Sequence, residues 1–157
     1  MQTFLPYADF ARSAAVLDLR RLGKQRVEAL QILRGLTRPG YGWRHHPAVK
    51  MWRDCEEALG AYGLAVTDRW VGHGFADTCE PSLRQELAAV GLAEVRTQLE
   101  LKDAGLLPAW LGNRRFHRAH QSALVRKDPQ HYRRWFPSVP DDLEYIWPTK
   151  PEHGPPR

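Results

Sequence analysis

Cysteine is scarce in this chain of 157 residues, and long apolar runs are missing altogether. With only Cys55 and Cys79 present, a disulfide framework is excluded and reduced thiols are expected. The apolar runs extend over only a few residues, which excludes a membrane-spanning segment. The first residues also lack the basic region and the apolar stretch of a secretion signal. These absences favour a cytoplasmic protein with no membrane partner.

The sequence also lacks the common cofactor and metal motifs. Neither a Walker motif nor a dinucleotide fingerprint occurs. His45-His46 and the pair His117 and His120 have no carboxylate or cysteine at the spacing of metal ligands. His120 falls on the apolar side of its predicted helix, where a hydrogen-bonded core histidine is the ordinary interpretation. We therefore expect neither a metal nor a cofactor.

The pattern of apolar residues predicts an all-α fold. Hydrophobic residues make up 43% of the chain, enough for a folded core in one domain. No segment alternates convincingly with a period of two, whereas spacings of three and four residues recur. Caps and spacing predict helices over residues 9–17, 20–36 and 47–73, one or two over 80–106, one over 113–127, and a short one after Asp128-Pro129.

Two features bear on how these helices are arranged. Gly60 and Gly63 either weaken their helix or mark close contact with a neighbouring element. From Pro137 onward the chain contains six prolines in 21 residues, so this stretch should wrap the body or fray. We therefore predict a compact, monomeric helical domain over residues 1–137 and a proline-rich tail over residues 138–157.

Positive charge is concentrated in two segments of the chain. The net charge is +5, with six Arg or Lys against two acids in residues 12–34 and seven against one in residues 113–136. Residues 53–104 carry the opposite balance, with five basic and ten acidic residues. This segregation favours a face that binds a polyanion. The alternative is that arginine is simply abundant in this chain.

The helix predicted over residues 113–127 has a cationic side. Arg115, Arg118, Ser122 and Arg126 fall within about 80° of one another, and Phe116, Ala123 and Leu124 face the other way. Such a row suits consecutive phosphates, and the nearby Tyr132 and Trp135 could stack on bases. The alternative is a solvated helix face with the aromatic residues in the core.

Glu28 is an isolated acid in basic surroundings. It is the only acid between Asp18 and Asp54, and Lys24 and Gln31 share its helical face, with Arg20 and Arg21 a turn earlier. A carboxylate among phosphate-binding cations is a candidate catalytic group. The alternative is an ordinary Lys24–Glu28 ion pair, which would contribute about 0.3 kcal/mol to helix stability.

Three ordered stretches carry a resemblance to a known family. They run from Leu17-Asp18 to Arg26-Val27-Glu28-Ala29-Leu30, from His46-Pro47-Ala48 through Trp52 to His73-Gly74-Phe75, and from Phe116-His117-Arg118 through Arg126-Lys127-Asp128-Pro129 to Trp135-Phe136. Together they make the chain similar to the pyrimidine-dimer DNA glycosylases of the phage endonuclease V type, especially a bacterial branch of them. The resemblance implies a compact helical fold with the N-terminus lying across the core.

The resemblance also implies a reaction. In this family an N-terminal α-amine attacks the sugar C1′ of a damaged nucleotide, the base is lost, and a Schiff base allows β-elimination. A glutamate on the first helix assists, arginines hold the phosphates, and no cofactor or metal is required. An α-amine titrates near pH 8, about two units below lysine, so a useful neutral fraction exists at physiological pH. Nearby cations such as Lys24 and Arg26 would enlarge that fraction.

The matching positions give the predicted site. The large side chain of Gln2 normally prevents removal of the initiator, so the working amine would belong to Met1. Glu28 matches the family glutamate through the following Ala29-Leu30, whereas another register would put Gln25 there. The predicted contacts to double-stranded damaged DNA are Arg20, Arg21, Lys24, Arg26, His46, Arg115, His117, Arg118, Ser122, Arg126 and Lys127.

Three functions remain open from the sequence. The leading hypothesis is a nucleoid-associated DNA-repair glycosylase and abasic-site lyase, without an obligate protein partner, that acts on pyrimidine dimers or another modified base. The second is a non-catalytic DNA-binding protein on the same scaffold, which would bind duplexes with strong salt dependence. The third is a small helical protein that binds another protein, which would respond only weakly to DNA.

Overall fold

The computed structural model describes residues 1–148, and this part of the chain is entirely helical and loop, without strands. The all-α prediction is therefore confirmed. The eight helices in the described range are α1 (Phe10–Val16), α2 (Leu19–Thr37), α3 (Pro47–Lys50), α4 (Glu56–Gly72), α5 (Cys79–Ala89), α6 (Gln98–Asp103), α7 (Arg114–Lys127) and α8 (Pro129–Tyr132). None of them is long and apolar enough to cross a membrane.

Side-chain caps set the start of several helices, as the sequence predicts. Asp9 accepts a hydrogen bond from Arg12 N, and Asn113 accepts one from Phe116 N. Asp128 accepts from His131 N and so begins α8 directly after α7. These bonds satisfy backbone donors that have no partner within the first helical turn.

The single helix predicted from Pro47 to His73 is wrong, because the chain breaks between α3 and α4. Asp54 adopts a left-handed backbone conformation with φ of 66°, and Cys55 N donates to Trp52 O at 2.8 Å. An α-helix cannot continue through that conformation. The break leaves Trp52 fully buried, with its indole N–H on Thr3 Oγ1 at 3.0 Å.

Helices α2, α4 and α5 form the centre of the core, and glycine permits their close approach. A Cβ atom added at Gly60 would lie 2.6 Å from Leu87 Cδ1 of α5. One added at Gly63 would lie 2.9 Å from Leu83 Cδ1. Of the two interpretations given for these glycines, close contact with a neighbouring element is confirmed.

The N-terminal segment runs through the interior, as the resemblance implies. Leu5 is fully buried, and its backbone N–H donates to His120 Nδ1 of α7 at 3.0 Å. The Leu5 carbonyl accepts from His117 Nδ1 at 2.8 Å, and Pro6 O accepts from Gln121 at 2.8 Å. Helix α7 thus holds the backbone of the segment and fixes the position of the chain start.

Residues 138–148, called the strap below, pack along α7 without helical structure. Leu143 N donates to Ser122 Oγ at 3.0 Å, and Arg126 Nη1 donates to Asp141 O at 2.7 Å. The strap therefore covers part of the helix face on which the cationic row was predicted. The rest of the predicted tail, residues 149–157, lies outside the described residues, and the domain boundary at residue 137 stays a prediction.

Candidate active site

Gln25 of α2 joins the N-terminal segment to Glu28. Its buried side-chain oxygen accepts hydrogen bonds from Phe4 N at 2.9 Å and from the Tyr62 hydroxyl at 2.7 Å. Its amide nitrogen donates to Gln2 O at 3.1 Å and to Glu28 Oε2 at 2.7 Å. All four hydrogen-bonding positions of the amide are used. Gln25 therefore fixes the chain start and the Glu28 carboxylate relative to each other.

Glu28 is half-buried and lies near positive charge. Burial raises the pKa of its carboxyl group, and the charges of the N-terminal amine, Lys24 and Lys127 act in the opposite direction. The pKa of His46 is lowered, first by burial and then by the same amine. The amine of Met1 is thus within electrostatic range of both Glu28 and His46.

A cleft of about 200 Å³ opens beside this carboxylate. We call it the N-terminal cleft; it is lined by Gln2, Phe4, Arg20, Arg21, Lys24, Gln25, Glu28 and Lys127. Arg20, Lys24 and Lys127 are exposed and make no ion pair within residues 1–148. The direct Lys24–Glu28 pair, which was the alternative interpretation of Glu28, is therefore not formed. Only Arg21 is paired, with Asp18 at 3.2 Å. The cleft combines a carboxylate with an excess of cations.

Arg26 does not join the predicted site residues that line this cleft. Its guanidinium forms an ion pair with Asp77 and stacks over the Trp70 ring at 4.3 Å. The Asp77 carboxylate also accepts from Cys79 N and Glu80 N at the start of α5. Arg26 therefore connects α2 to the start of α5. The expectation that Arg26 enlarges the neutral fraction of the Met1 amine has no support in this geometry.

The predicted cationic row on α7 is only partly exposed. Ser122 is fully buried beneath the strap, where its hydroxyl accepts from Leu143 N. His117 is buried between Leu5 O and Gly112 N, the latter donating to Nε2 at 2.8 Å. Neither side chain lies on the surface where DNA contacts were expected, because both hold neighbouring backbone. Arg115 and Arg118 line a cleft of about 240 Å³ between α7 and the strap.

The apolar side of α7 is predicted correctly, since Phe116, Ala123 and Leu124 are all buried. Of the two aromatic residues proposed to stack on bases, Trp135 is 48% exposed and Tyr132 is fully buried. The Tyr132 hydroxyl hydrogen-bonds to Asp18, so stacking of Tyr132 on a base is excluded.

His46 caps α3 and also contacts the strap. Its Nδ1 accepts from Ala48 N at 3.0 Å, and its ring makes edge contacts with Trp43 and Trp147 at centroid distances of 5.9 and 5.8 Å. Within residues 1–148 no group of three or more His, Cys, Asp or Glu side chains is arranged to hold a metal ion.

Two residues of this region were not among the predicted site residues. Tyr62 of α4 is fully buried, and its hydroxyl lies 2.9 Å from Phe4 O and 2.7 Å from Gln25 Oε1, so these two oxygens share its single proton. Tyr145 lies in the strap and stacks on His120. The only sequence signal for Tyr62 was a polar atom on a buried face, which requires a partner. No sequence signal marked Tyr145.

The fold and this cleft define a class of helical protein in which one carboxylate and several exposed cations surround a cleft next to the N-terminal segment. An excess of cations suits a polyanionic substrate. A family model described as pyrimidine dimer DNA glycosylase matches residues 1–82, and the chain belongs to that family. It is a DNA-repair glycosylase by family, and its substrate is DNA. Searches among curated proteins and among solved structures found no match.

Proposed function

We propose that the chain removes pyrimidine dimers or another modified base from duplex DNA and then cleaves the strand at the abasic site. The α-amine of Met1 is the nucleophile and Glu28 is the catalytic carboxylate. The observation that carries this proposal is the Gln25 amide, which binds both the backbone beside the amine and the Glu28 side chain. Such a bridge holds the residue next to Met1 and the Glu28 carboxylate in fixed relation before substrate arrives.

The chemistry follows from these two groups. The neutral amine attacks C1′, the bond from C1′ to the base breaks, and opening of the sugar ring gives a Schiff base. Loss of a C2′ proton then eliminates the 3′ phosphate oxygen and cleaves the strand. Glu28 accepts the proton that the amine releases, and its raised pKa brings the carboxylate closer in basicity to the amine.

The exposed cations serve the DNA backbone in this proposal. Arg20, Lys24 and Lys127 surround the N-terminal cleft without acidic partners in the described part of the chain, which leaves them available to phosphates. Arg115 and Arg118 offer a second set on α7. To reach a base within a duplex, the protein must extrude the base or kink the duplex, which costs about 3 kcal/mol. Phosphate contacts offset this cost.

The test is borohydride trapping on a duplex with one abasic site. We expect a covalent adduct with the native N-terminus and none when the α-amine is blocked by acetylation. Lys24→Arg and Lys127→Arg are the controls, because they keep the charge and remove the other primary amines of the cleft. Both should still be trapped at close to the wild-type level.

Two results would contradict the proposal. Loss of the adduct in Lys24→Arg or Lys127→Arg, with trapping unaffected by a blocked N-terminus, would assign the nucleophile to a lysine. Tight, salt-dependent duplex binding with no adduct in any variant would indicate a non-catalytic DNA-binding protein.

A further inference from the structure

The loop between α2 and α3, residues 38–46, presents a tryptophan to solvent. Trp43 is 50% exposed, although indole is the largest apolar side chain. Arg44 N donates to Tyr41 O at 3.2 Å and His46 N donates to Trp43 O at 2.9 Å, so the chain turns on both sides of this residue. The edge of the His46 ring also contacts the indole at a centroid distance of 5.9 Å. The loop therefore restricts the orientation of the indole and leaves half of its surface open.

The segment that contains this ring is basic. Residues 29–53 include five Arg or Lys and no acidic residue. Arg34 and Arg38 bind Glu86, but Arg44 is exposed and makes no ion pair within residues 1–148. An exposed aromatic ring beside an unpaired cation is typical of surfaces that bind unstacked nucleobases and their phosphates. Because the substrate of the family is DNA, a nucleobase is the partner that fits this ring and this charge.

The loop lies on the side of the molecule where the chain starts. Trp52, which follows His46 across the short helix α3, donates its indole N–H to Thr3 Oγ1 at 3.0 Å. Thr3 is close to Met1, because each residue of chain spans at most about 3.6 Å. The pKa of His46 is lowered by burial and then by the charge of the Met1 amine, which agrees with this placement. One turn of duplex extends over about 34 Å, so a duplex that reaches Met1 also passes the loop.

We propose that Trp43 stacks on a nucleobase that has lost a stacking neighbour because the duplex is damaged or kinked. This inference rests on the proposed function, which requires the base to be extruded or the duplex to be kinked. In an intact duplex each base is covered by its neighbours and offers no open face to the indole. Phosphate contacts are made with any sequence, whereas this contact is made only with distorted DNA. Trp43 therefore favours damaged over intact duplex.

Trp43→Leu and Trp43→Phe test the inference, because leucine keeps apolar bulk without an aromatic ring and phenylalanine keeps a ring. The affinity of each full-length variant is measured for two duplexes of one sequence, one intact and one carrying a tetrahydrofuran abasic analogue. For the analogue we expect Trp43→Leu to bind about tenfold more weakly than the wild type, the usual effect of one lost base stack, and Trp43→Phe to stay within about threefold. Both should match the wild type on the intact duplex. Leu99→Ala is the control, since it removes an apolar side chain that is 67% exposed on α6, and it should change neither affinity.

The outcomes separate this inference from the proposed function. If Trp43→Leu binds the analogue duplex as tightly as the wild type, the inference is overturned even though the wild type forms its adduct. Equal weakening on both duplexes would show that the contact needs no unstacked base, and it also overturns the inference. A lowered melting temperature with equal losses of affinity in Trp43→Leu and Trp43→Phe assigns the indole a structural role and does the same. If the wild type forms no adduct, the proposed chemistry fails, while the affinities for the analogue still decide whether Trp43 stacks on a base.

Discussion

Glu28, the proposed catalytic carboxylate, shows at the scale of one residue how the burial of a charged group opposes stability. Burial disfavours its charged form, and the positive charges of the amine, Lys24 and Lys127 only partly offset that effect. A carboxyl group whose folded pKa lies above its unfolded value loses a stabilising contribution as pH rises through the folded pKa. At neutral pH the ionised Glu28 therefore lowers the free energy of unfolding.

Replacing Glu28 with Gln should consequently reduce activity and increase stability together. We expect cleavage of irradiated and of abasic duplex to fall about 100-fold, because glutamine cannot accept a proton. At pH 7 the melting temperature should be higher than that of the wild type. The difference should shrink as the pH is lowered through the raised pKa, where Glu28 becomes protonated in the wild type.

The control for this prediction is Glu94→Gln, at an exposed position, which should leave cleavage and melting temperature unchanged. Circular dichroism must show that Glu28→Gln is folded. A folded Glu28→Gln protein that cleaves both duplexes at the wild-type rate would contradict the catalytic assignment. A melting temperature that is lower at pH 7 would contradict the electrostatic argument alone.

The sequence marks Glu28 as a candidate but does not show how its side chain is held. An isolated acid in a basic segment can be recognised from the sequence alone. Lys24 can be recognised as its neighbour as well, because it lies four residues away on the same helix. Gln25 came into the prediction only as an alternative register, because an amide has no charge to reveal it. Its four hydrogen bonds come from three separate parts of the chain and exist only after folding.

At the scale of elements, the contact between α4 and α5 depends on residues without side chains. Gly60 and Gly63 lie in the interior of α4, where glycine by itself weakens a helix by about 1 kcal/mol relative to alanine. They are tolerated because Leu87 and Leu83 of α5 occupy the space where a Cβ atom would be. Close packing outweighs helix propensity here.

Gly60→Ala and Gly72→Ala separate these two effects. Both variants gain helix propensity, but an alanine Cβ at position 60 would meet Leu87 at 2.6 Å, whereas nothing lies within 4 Å of one at position 72. We expect Gly60→Ala to have the lower free energy of unfolding, by about 1–3 kcal/mol, when both are measured by urea denaturation. Equal stability of the two variants would show that α5 shifts without cost.

Helix ends and helix interiors differ in how well the sequence predicts them. Asp9, Asn113 and Asp128 are local signals, since each cap bonds to a backbone N–H within three residues. The break at Asp54 carries no such signal, because the apolar spacing continues across it through Trp52 and Cys55. Burial of Trp52 against the N-terminal segment is a long-range effect that periodicity cannot contain.

At the scale of the whole molecule, the cations form two groups: those paired with acidic side chains and those without an ion pair in the described residues. Arg34 of the first basic segment and Arg38 just beyond it both bind Glu86 of α5, and Arg26 binds Asp77. These pairs join α2 and the residue that follows it to the acidic middle of the sequence. The charge count predicted a polyanion-binding face, but the sequence alone could not tell which cations acids from a distant segment would neutralise.

The unpaired cations of the N-terminal cleft should therefore dominate the salt dependence of DNA binding. Each lysine that contacts a phosphate releases about 0.9 counterion, so Lys24→Ala and Lys127→Ala should each reduce the slope of log affinity against log salt by about 0.9. Arg84→Ala removes one positive charge equally, but Arg84 lies on α5 and is paired with Glu80 at 3.1 Å. It should leave the slope unchanged. If all three variants reduced the slope equally, the net charge of the protein, rather than contacts in the cleft, would determine binding. Net charge is the same whichever cation is removed, whereas a direct phosphate contact depends on the position of the cation.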